Sequence, residues 1–307
     1  MTLPAGASNV RRVGGGDINE AYRVQLADGR EAFVKTRADA APGEYAAEAA
    51  GLRWLAAASP EGEPAALRTR GALRTPRVLE VNERYLALEW VPTGDAGALG
   101  AAGAEQLGRG LALVHQAGAP CFGLARGQPP PGEGAVGPPA AGGAPARFGS
   151  LQLPNEPAAD WPSFYAERRL LPLARVARER GALSAAGAAS VRAVCERLGE
   201  LAGPAEPPAR LHGDLWSGNV MVDRHGHPWL IDPSAYGGHR EIDLAMLALF
   251  GSPPPALFAA YDELVPLADG WRERVELYQL LPLLVHAVLF GGSYTSAAER
   301  VARRYAG

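Results

Sequence analysis

Leu211-His212-Gly213-Asp214-Leu215-Trp216-Ser217-Gly218-Asn219-Val220 is followed by Ile231-Asp232-Pro233, whose Asp232 lies thirteen residues after Asn219. Gly, Asp, Asn and Ser are ordinary turn residues, and a surface turn would account for Asp214 or Asn219 alone. It does not account for two short apolar segments, 220–222 and 229–231, that flank a turn at Arg224-His225-Gly226-His227 and end on an acid. An Asp followed five positions later by an Asn, with a second Asp closing the next hairpin, is the spacing of a phosphoryl-transfer centre. In such a centre Asp214 is the base that accepts the proton of an attacking hydroxyl. Asn219 and Asp232 are the oxygen ligands for a magnesium ion on the phosphates.

Working outward, the chain has 30 basic residues, and Lys35 is its only lysine. An ammonium is a compact point charge that fits between phosphate oxygens and a carboxylate, whereas guanidinium is a wide planar fork. Lys35 closes the strand-like run Glu31-Ala32-Phe33-Val34-Lys35 after an Asp28-Gly29 hairpin turn. The Ala, Leu, Glu and Arg content of Glu44 to Ala58 predicts a helix. Of its two candidate partners for the lysine we favour Glu48, because Glu44 sits nearer the helix start, where an acid is already explained by the helix dipole. Upstream, Gly14, Gly15 and Gly16 precede Asp17, and glycines there let backbone amides approach phosphates.

With 307 residues and 47% hydrophobic content the chain is long enough for two lobes and a substantial core. A net charge of −3 excludes a global attraction to nucleic acid or anionic lipid. Cys121 and Cys195 lie far apart without metal-like spacing, and no secretory signal opens the chain, which points to a reducing, cytoplasmic setting. The longest apolar stretch, 277–290, is too short and too interrupted by Gln279, Pro282 and His286 to span a membrane.

Residues 1–91 read as a strand-rich lobe with one main helix, closing on an apolar strand at 85–91. Residues 92–307 read as a mainly helical lobe, with helices near 104–117, 161–180, 187–202, 254–264, 271–290 and 294–305. Between the lobes a cleft is expected, with Glu89, Trp90 and Val91 as a hinge whose backbone faces an adenine. Residues 126–147, dominated by Gly, Pro and Ala, read as a mobile insertion. The expected fold is α+β, bilobal and protein-kinase-like.

These residues resemble the fructosamine kinase family, the ketosamine 3-kinases, over nearly the whole chain. The resemblance rests on Gly14 to Glu20, Phe33-Val34-Lys35, Glu48, Leu88-Glu89, Leu211 to Val220 with Trp216 in the catalytic loop, Tyr236 to Ala245, and Ile231-Asp232-Pro233. Asp160 to Tyr165, Leu277 to Leu280 and His286 also look like family segments. The resemblance implies a fold related to aminoglycoside phosphotransferases and transfer of phosphate from ATP, with magnesium, to the 3-hydroxyl of a ketosamine. That acceptor would be a small molecule or protein-bound, a ribulosamine or erythrulosamine sooner than a fructosamine, and the product would break down to release the amine.

The remaining alternatives are a phosphotransferase acting on an aminoglycoside or choline, and a nucleotide-binding scaffold without turnover. Trp216 either stacks on the sugar or packs at the lobe junction, and His286 either faces the substrate or is a hydrogen-bonded core residue. Asp243 is expected to hold the backbone of the catalytic loop. Some family members carry a cysteine where this chain has Asp17, so thiol control of that loop is not carried over.

Overall fold

The computed structural model describes residues 2–14, 19–58, 73–93, 99–124 and 145–307. Its first part is a five-stranded antiparallel sheet. The strands are β1 (Ser8–Arg12), β2 (Glu20–Gln25), β3 (Glu31–Thr36), β4 (Val78–Val81) and β5 (Tyr85–Glu89), in the order β1-β2-β3-β5-β4. Gly29, at φ 83°, makes the β2–β3 turn, and Asp28 accepts from the Arg30 amide at 3.0 Å.

Successive side chains of a strand point to opposite faces. Ala32 and Val34 of β3 accordingly pack with Tyr22, Val24, Tyr85 and Ala87 on one face. Phe33 packs on the other, with Leu86, Leu88 and the buried Tyr45, Ala49 and Leu52 of helix α1 (Glu44–Ala56). Lys35 lies two residues from Phe33 and therefore shares the helix-covered face. The α1 residues recur at the three-to-four spacing of a helical stripe. Gly51, on the same helix, lies so close to the 233–235 segment that an added Cβ would sit 3.1 Å from Pro233. Helix α1 thereby touches both the sheet and the segment after Asp232.

The second part is mostly helical: α2 (Ala101–Gln116), α3 (Trp161–Tyr165), α4 (Leu171–Glu179), α5 (Ala185–Glu196), α6 (Leu198–Leu201), α7 (Glu241–Leu249), α8 (Pro255–Leu264), α9 (Trp271–Phe290) and α10 (Ser293–Ala306). Helix α9 is the axis of its larger core, buried almost without a break from Leu277 to Val285. Pro282 inside it cannot donate an amide hydrogen. The Tyr165 hydroxyl donates to the nearby carbonyls of Leu277 and Tyr278, at 3.1 and 3.4 Å.

Three short two-stranded pairs depart from or refine the sequence reading. β9 (Val220–Val222) and β10 (Pro228–Leu230) form the hairpin around 224–227, ending one residue before the expected 231. Asp223 holds its turn by accepting from the amides of His225 and His227. β8 (Ala209–Leu211) pairs with β11 (Tyr236–Gly238), a long-range pairing with no local signal. β6 (Ala146–Phe148) pairs with β7 (Leu151–Leu153), so Ala146 and Arg147 of the expected insertion are strand. Residues 126–144 of that insertion lie outside the described residues.

Two expected helices are interrupted. The 161–180 helix contains a π-helical turn at Ala166–Leu170, where Arg169 is fully buried between the rings of Phe164 and Tyr236. The 187–202 helix is two, α5 and α6, meeting at Arg197. The helices expected at 254–264, 271–290 and 294–305 are present within a residue. Among the described residues no helix is long and apolar enough to cross a membrane.

Candidate active site

Strand β3 and helix α1 bring Lys35 and Glu48 together across the covered face of the sheet. The Lys35 ammonium donates to both Glu48 oxygens at 2.9 and 3.0 Å, and to Asp232 Oδ1 at 2.6 Å. Only 7% of Lys35 is exposed. Burial works against its charge, but the Glu48 and Asp232 carboxylates outweigh it and hold the lysine above its ordinary pKa. Burial pushes Glu48 in the opposite sense, up from the usual carboxylate range, despite the pull of Lys35. Glu44, the rejected candidate, pairs with Arg37 instead, at 2.8 Å.

Asp232 reaches the lysine from the other part of the chain. Its φ of 55° places it in the left-handed region, which Asp tolerates better than most residues. The Ile231 amide donates to the Asn219 carbonyl at 3.1 Å, bringing the end of β10 beside the catalytic loop. Asn219 in turn donates from Nδ2 to the Asp214 carbonyl at 2.8 Å and, more weakly, to Asp214 Oδ2 at 3.4 Å. With Nδ2 so engaged, Asn219 Oδ1 is the atom left to act as a ligand. Burial raises Asp214 to about 7, the Asp232 charge adds to the effect, and Asn219 opposes it.

Behind this loop, Asp243 in α7 is fully buried and accepts from the amides of His212 and Gly213 at 2.8 and 2.9 Å, which is the loop-holding role expected of it. His115, at the end of α2, donates to the same carboxylate at 3.2 Å and meets the Tyr261 hydroxyl at 2.8 Å on its other nitrogen. Burial works against the Asp243 charge, but His115 and the loop amides hold its pKa below the ordinary value. His115 was not found from sequence, because one histidine in a helical stripe carries no local sign of a partner 128 residues away. His212 donates from Nε2 to the Ile231 carbonyl at 2.9 Å. Its Nδ1 then accepts from the Asp214 amide at 3.3 Å, and burial lowers its pKa.

Beside Asp214 lies a small apolar pocket lined by Phe148, Ile242, Met246, Leu281, Pro282 and Val285, together with Gly213, Asp214 and His286. His286 thus lines the same pocket as Asp214, with its Nδ1 donating to the Pro282 carbonyl at 2.8 Å. Trp216 is 40% exposed and edge-on to Phe250.

The glycine-rich stretch is only partly described. Gly14 follows β1 with open space where a Cβ would be, while Gly15, Gly16 and Asp17 lie outside the described residues. At the expected hinge, Glu89 belongs to β5 and its amide donates to the Arg77 carbonyl at 2.9 Å; the Trp90 amide donates to Glu31 at 3.3 Å. Those two amides are therefore already paired within the sheet. Val91 is buried, and Trp90 lies under the Arg23 guanidinium.

Comparison with known proteins places the chain in a family. The sequence profile described as fructosamine kinase matches residues 3–128 and 145–306. A probable ketoamine kinase of Enterococcus faecium is 31% identical, over 95% of this chain and 93% of that protein. The chloroplastic protein-ribulosamine 3-kinase of Arabidopsis thaliana is 31% identical, over 97% of this chain and 82% of that protein. A crystal structure of a Thermobifida fusca protein assigned as a fructosamine-3-kinase superposes with a TM-score of 0.81 at 41% identity, covering 98% of this chain and 93% of that one. The fold alone is shared with an aminoglycoside phosphotransferase, at a TM-score of 0.58 and 15% identity, over 98% of this chain and 96% of that one.

Proposed function

Because this chain belongs to the fructosamine kinase family and is an ATP-dependent phosphotransferase, we propose that it phosphorylates the 3-hydroxyl of a ketosamine, with ribulosamines or erythrulosamines preferred to fructosamines. The observation that carries this reading is the convergence of Lys35, Glu48 and Asp232 with Asp214 and Asn219 in one cluster. A scaffold that only bound nucleotide would need no half-buried carboxylate, pushed up by desolvation, beside a small apolar pocket.

In this reading residues 1–91 bind the nucleotide and residues 92–307 carry the base and the acceptor. Asp214 accepts the proton of the sugar hydroxyl as that oxygen bonds to the γ-phosphorus and the bond to ADP breaks. Lys35, oriented by Glu48, exchanges its contact with Asp232 for ATP phosphate oxygens. The donor set suits magnesium, which is typically held by one or two protein oxygens with the rest of its shell from phosphate and water. Among the described residues no group of three or more His, Cys, Asp or Glu forms a metal cage. Asn219 and Asp232 would be its protein ligands, and the ion, when bound, neutralises phosphate charge. Trp216 would cover the sugar with an indole face, and His286 would line the acceptor side.

The 3-phosphorylated adduct would then decompose and free the amine, so the cellular role is deglycation, in the cytoplasm. An aminoglycoside, with several positive charges, favours a site rich in acids, whereas the acceptor pocket holds Asp214 among apolar residues. The test is ADP release by the full chain with magnesium-ATP and, in parallel, a ribulosamine, a fructosamine, an aminoglycoside and choline, with Asp214→Asn as the blank. Turnover confined to ketosamines is expected. Turnover only on the aminoglycoside or choline would discard the substrate, and silence on all four would discard the catalytic reading.

A further inference from the structure

Among the described residues five large apolar side chains are exposed, and Phe290, at 65%, is the most exposed of them; Trp216 is another. One exposed apolar residue needs no explanation, but these two belong to a single chain of rings. Trp216 meets Phe250 at 6.1 Å between ring centroids, and Phe250 meets His286 at 4.7 Å. His286 in turn meets Phe290 at 5.5 Å and Tyr294 at 5.0 Å. His286 and Phe290 are one helical turn apart on α9 and so share a face. Just beyond Phe290, Gly291 and Gly292 both have positive φ, 65° and 60°, and their sharp corner starts α10 and brings Tyr294 back onto His286. The strip therefore starts in the pocket that holds Asp214 and runs outward to solvent at Phe290.

We propose that Phe250, His286, Phe290 and Tyr294 form a subsite for the amine substituent of the acceptor, selecting ketosamines whose nitrogen carries an apolar or aromatic group. This rests on the ketosamine reading above. In a ketosamine the nitrogen is two carbons from the hydroxyl-bearing C3, which with bonds near 1.5 Å puts it roughly 4–5 Å from the reacting oxygen. An acceptor with its hydroxyl at Asp214 can thus extend its nitrogen toward His286 and its substituent along the ring strip. His286 suits that place. Its Nδ1 donates to a carbonyl, so Nε2 of the neutral ring is left with a lone pair that can accept from the N–H of a secondary ammonium. The faces of the neighbouring rings attract a cation and give an apolar substituent a surface to cover. Among the described residues the four side chains of the strip, three of them aromatic hydrocarbons or a phenol and the fourth a neutral imidazole, offer a carboxylate no fixed positive charge, which disfavours adducts formed on the α-amine of free amino acids.

The test compares ribulose adducts of methylamine, benzylamine and glycine as acceptors for the full chain and for Phe290→Ala. The natural chain should favour the benzylamine over the methylamine adduct by about tenfold in kcat/KM, the scale of a modest apolar contact, and should disfavour the glycine adduct. In Phe290→Ala the benzylamine-to-methylamine ratio should fall toward one. Phe290 is exposed, so the variant is expected to fold, and a thermal melt verifies it. Equal kcat/KM for benzylamine and methylamine adducts in the natural chain, or a ratio untouched by Phe290→Ala, overturns the subsite while leaving the ketosamine reading intact. Absence of turnover on all three adducts overturns both.

Discussion

The two halves of the catalytic loop are built in opposite ways. From Leu211 to Leu215 the chain is largely buried, its amides are held by Asp243, and Gly213, at φ 82°, passes so near the Ser234 carbonyl that an added Cβ would sit 2.1 Å from that oxygen. From Trp216 to Gly218 the chain is exposed, and what crowds Gly218 is a side chain: an added Cβ would lie 2.2 Å from the Trp216 ring. Backbone cannot yield without moving the fold, whereas an exposed indole can rotate away. The half that carries Asp214 is thus fixed by hydrogen bonds and steric limits, and the exposed half is adjustable.

That contrast is most easily broken at Gly213. Alanine there meets both the unfavourable φ and the Ser234 carbonyl, and should cost about 3 kcal/mol or more of stability, read by urea unfolding, with turnover falling in parallel. A stable, active Gly213→Ala would remove the idea of a fixed first half.

Asp243→Asn should come next. An amide offers one acceptor oxygen where two loop amides and His115 now converge, so about 2–3 kcal/mol should be lost, with kcat lowered more than the KM for ATP. Loss of stability with kcat unchanged would mean that Asp243 supports the fold and not the position of Asp214.

A third effect sharpens the buried half through its proton chemistry. As the proposed base Asp214 would act ionised, so kcat/KM for the acceptor should drop about tenfold per pH unit below about 7. The same raised pKa sets the sign for stability. A carboxyl raised from 3.8 to about 7 favours folding while protonated, and that contribution is lost as pH rises through 7. Above that pH Asp214→Asn should be more stable than the natural chain by about 1–2 kcal/mol. A pH-rate profile flat between 5 and 8 would contradict both statements.

The smallest effect is expected at Gly218. Alanine should shift the melt by less than about 0.5 kcal/mol, because Trp216 turns aside, while the acceptor KM rises and indole fluorescence changes. A loss of stability like that of Gly213→Ala would erase the difference between the halves.

Much of this was legible in the chain because it is local. The hairpin around 224–227, the helix bearing Glu48 and the long α9 follow from turn residues and apolar spacing over a few neighbours. The π turn at Ala166–Leu170 and the pairing of β8 with β11 were not legible, since neither changes local composition. The rings around His286 were equally hidden, although their residues are plain in the sequence, because Phe250 and Tyr294 approach it only when α7 and α10 fold back beside α9.

By itself the sequence determined which reactive groups are present and in what order: one lysine, an Asp and an Asn five residues apart, and an acid closing the next hairpin. Such spacings are set by backbone geometry over short stretches, which residue types reveal directly. Only the tertiary structure decided that Lys35 meets an aspartate 197 residues away, that Asp243 and His115 stand behind the loop, and that apolar walls raise Asp214 to about 7. Those outcomes depend on which surfaces exclude water from one another, and that is settled when the whole chain packs.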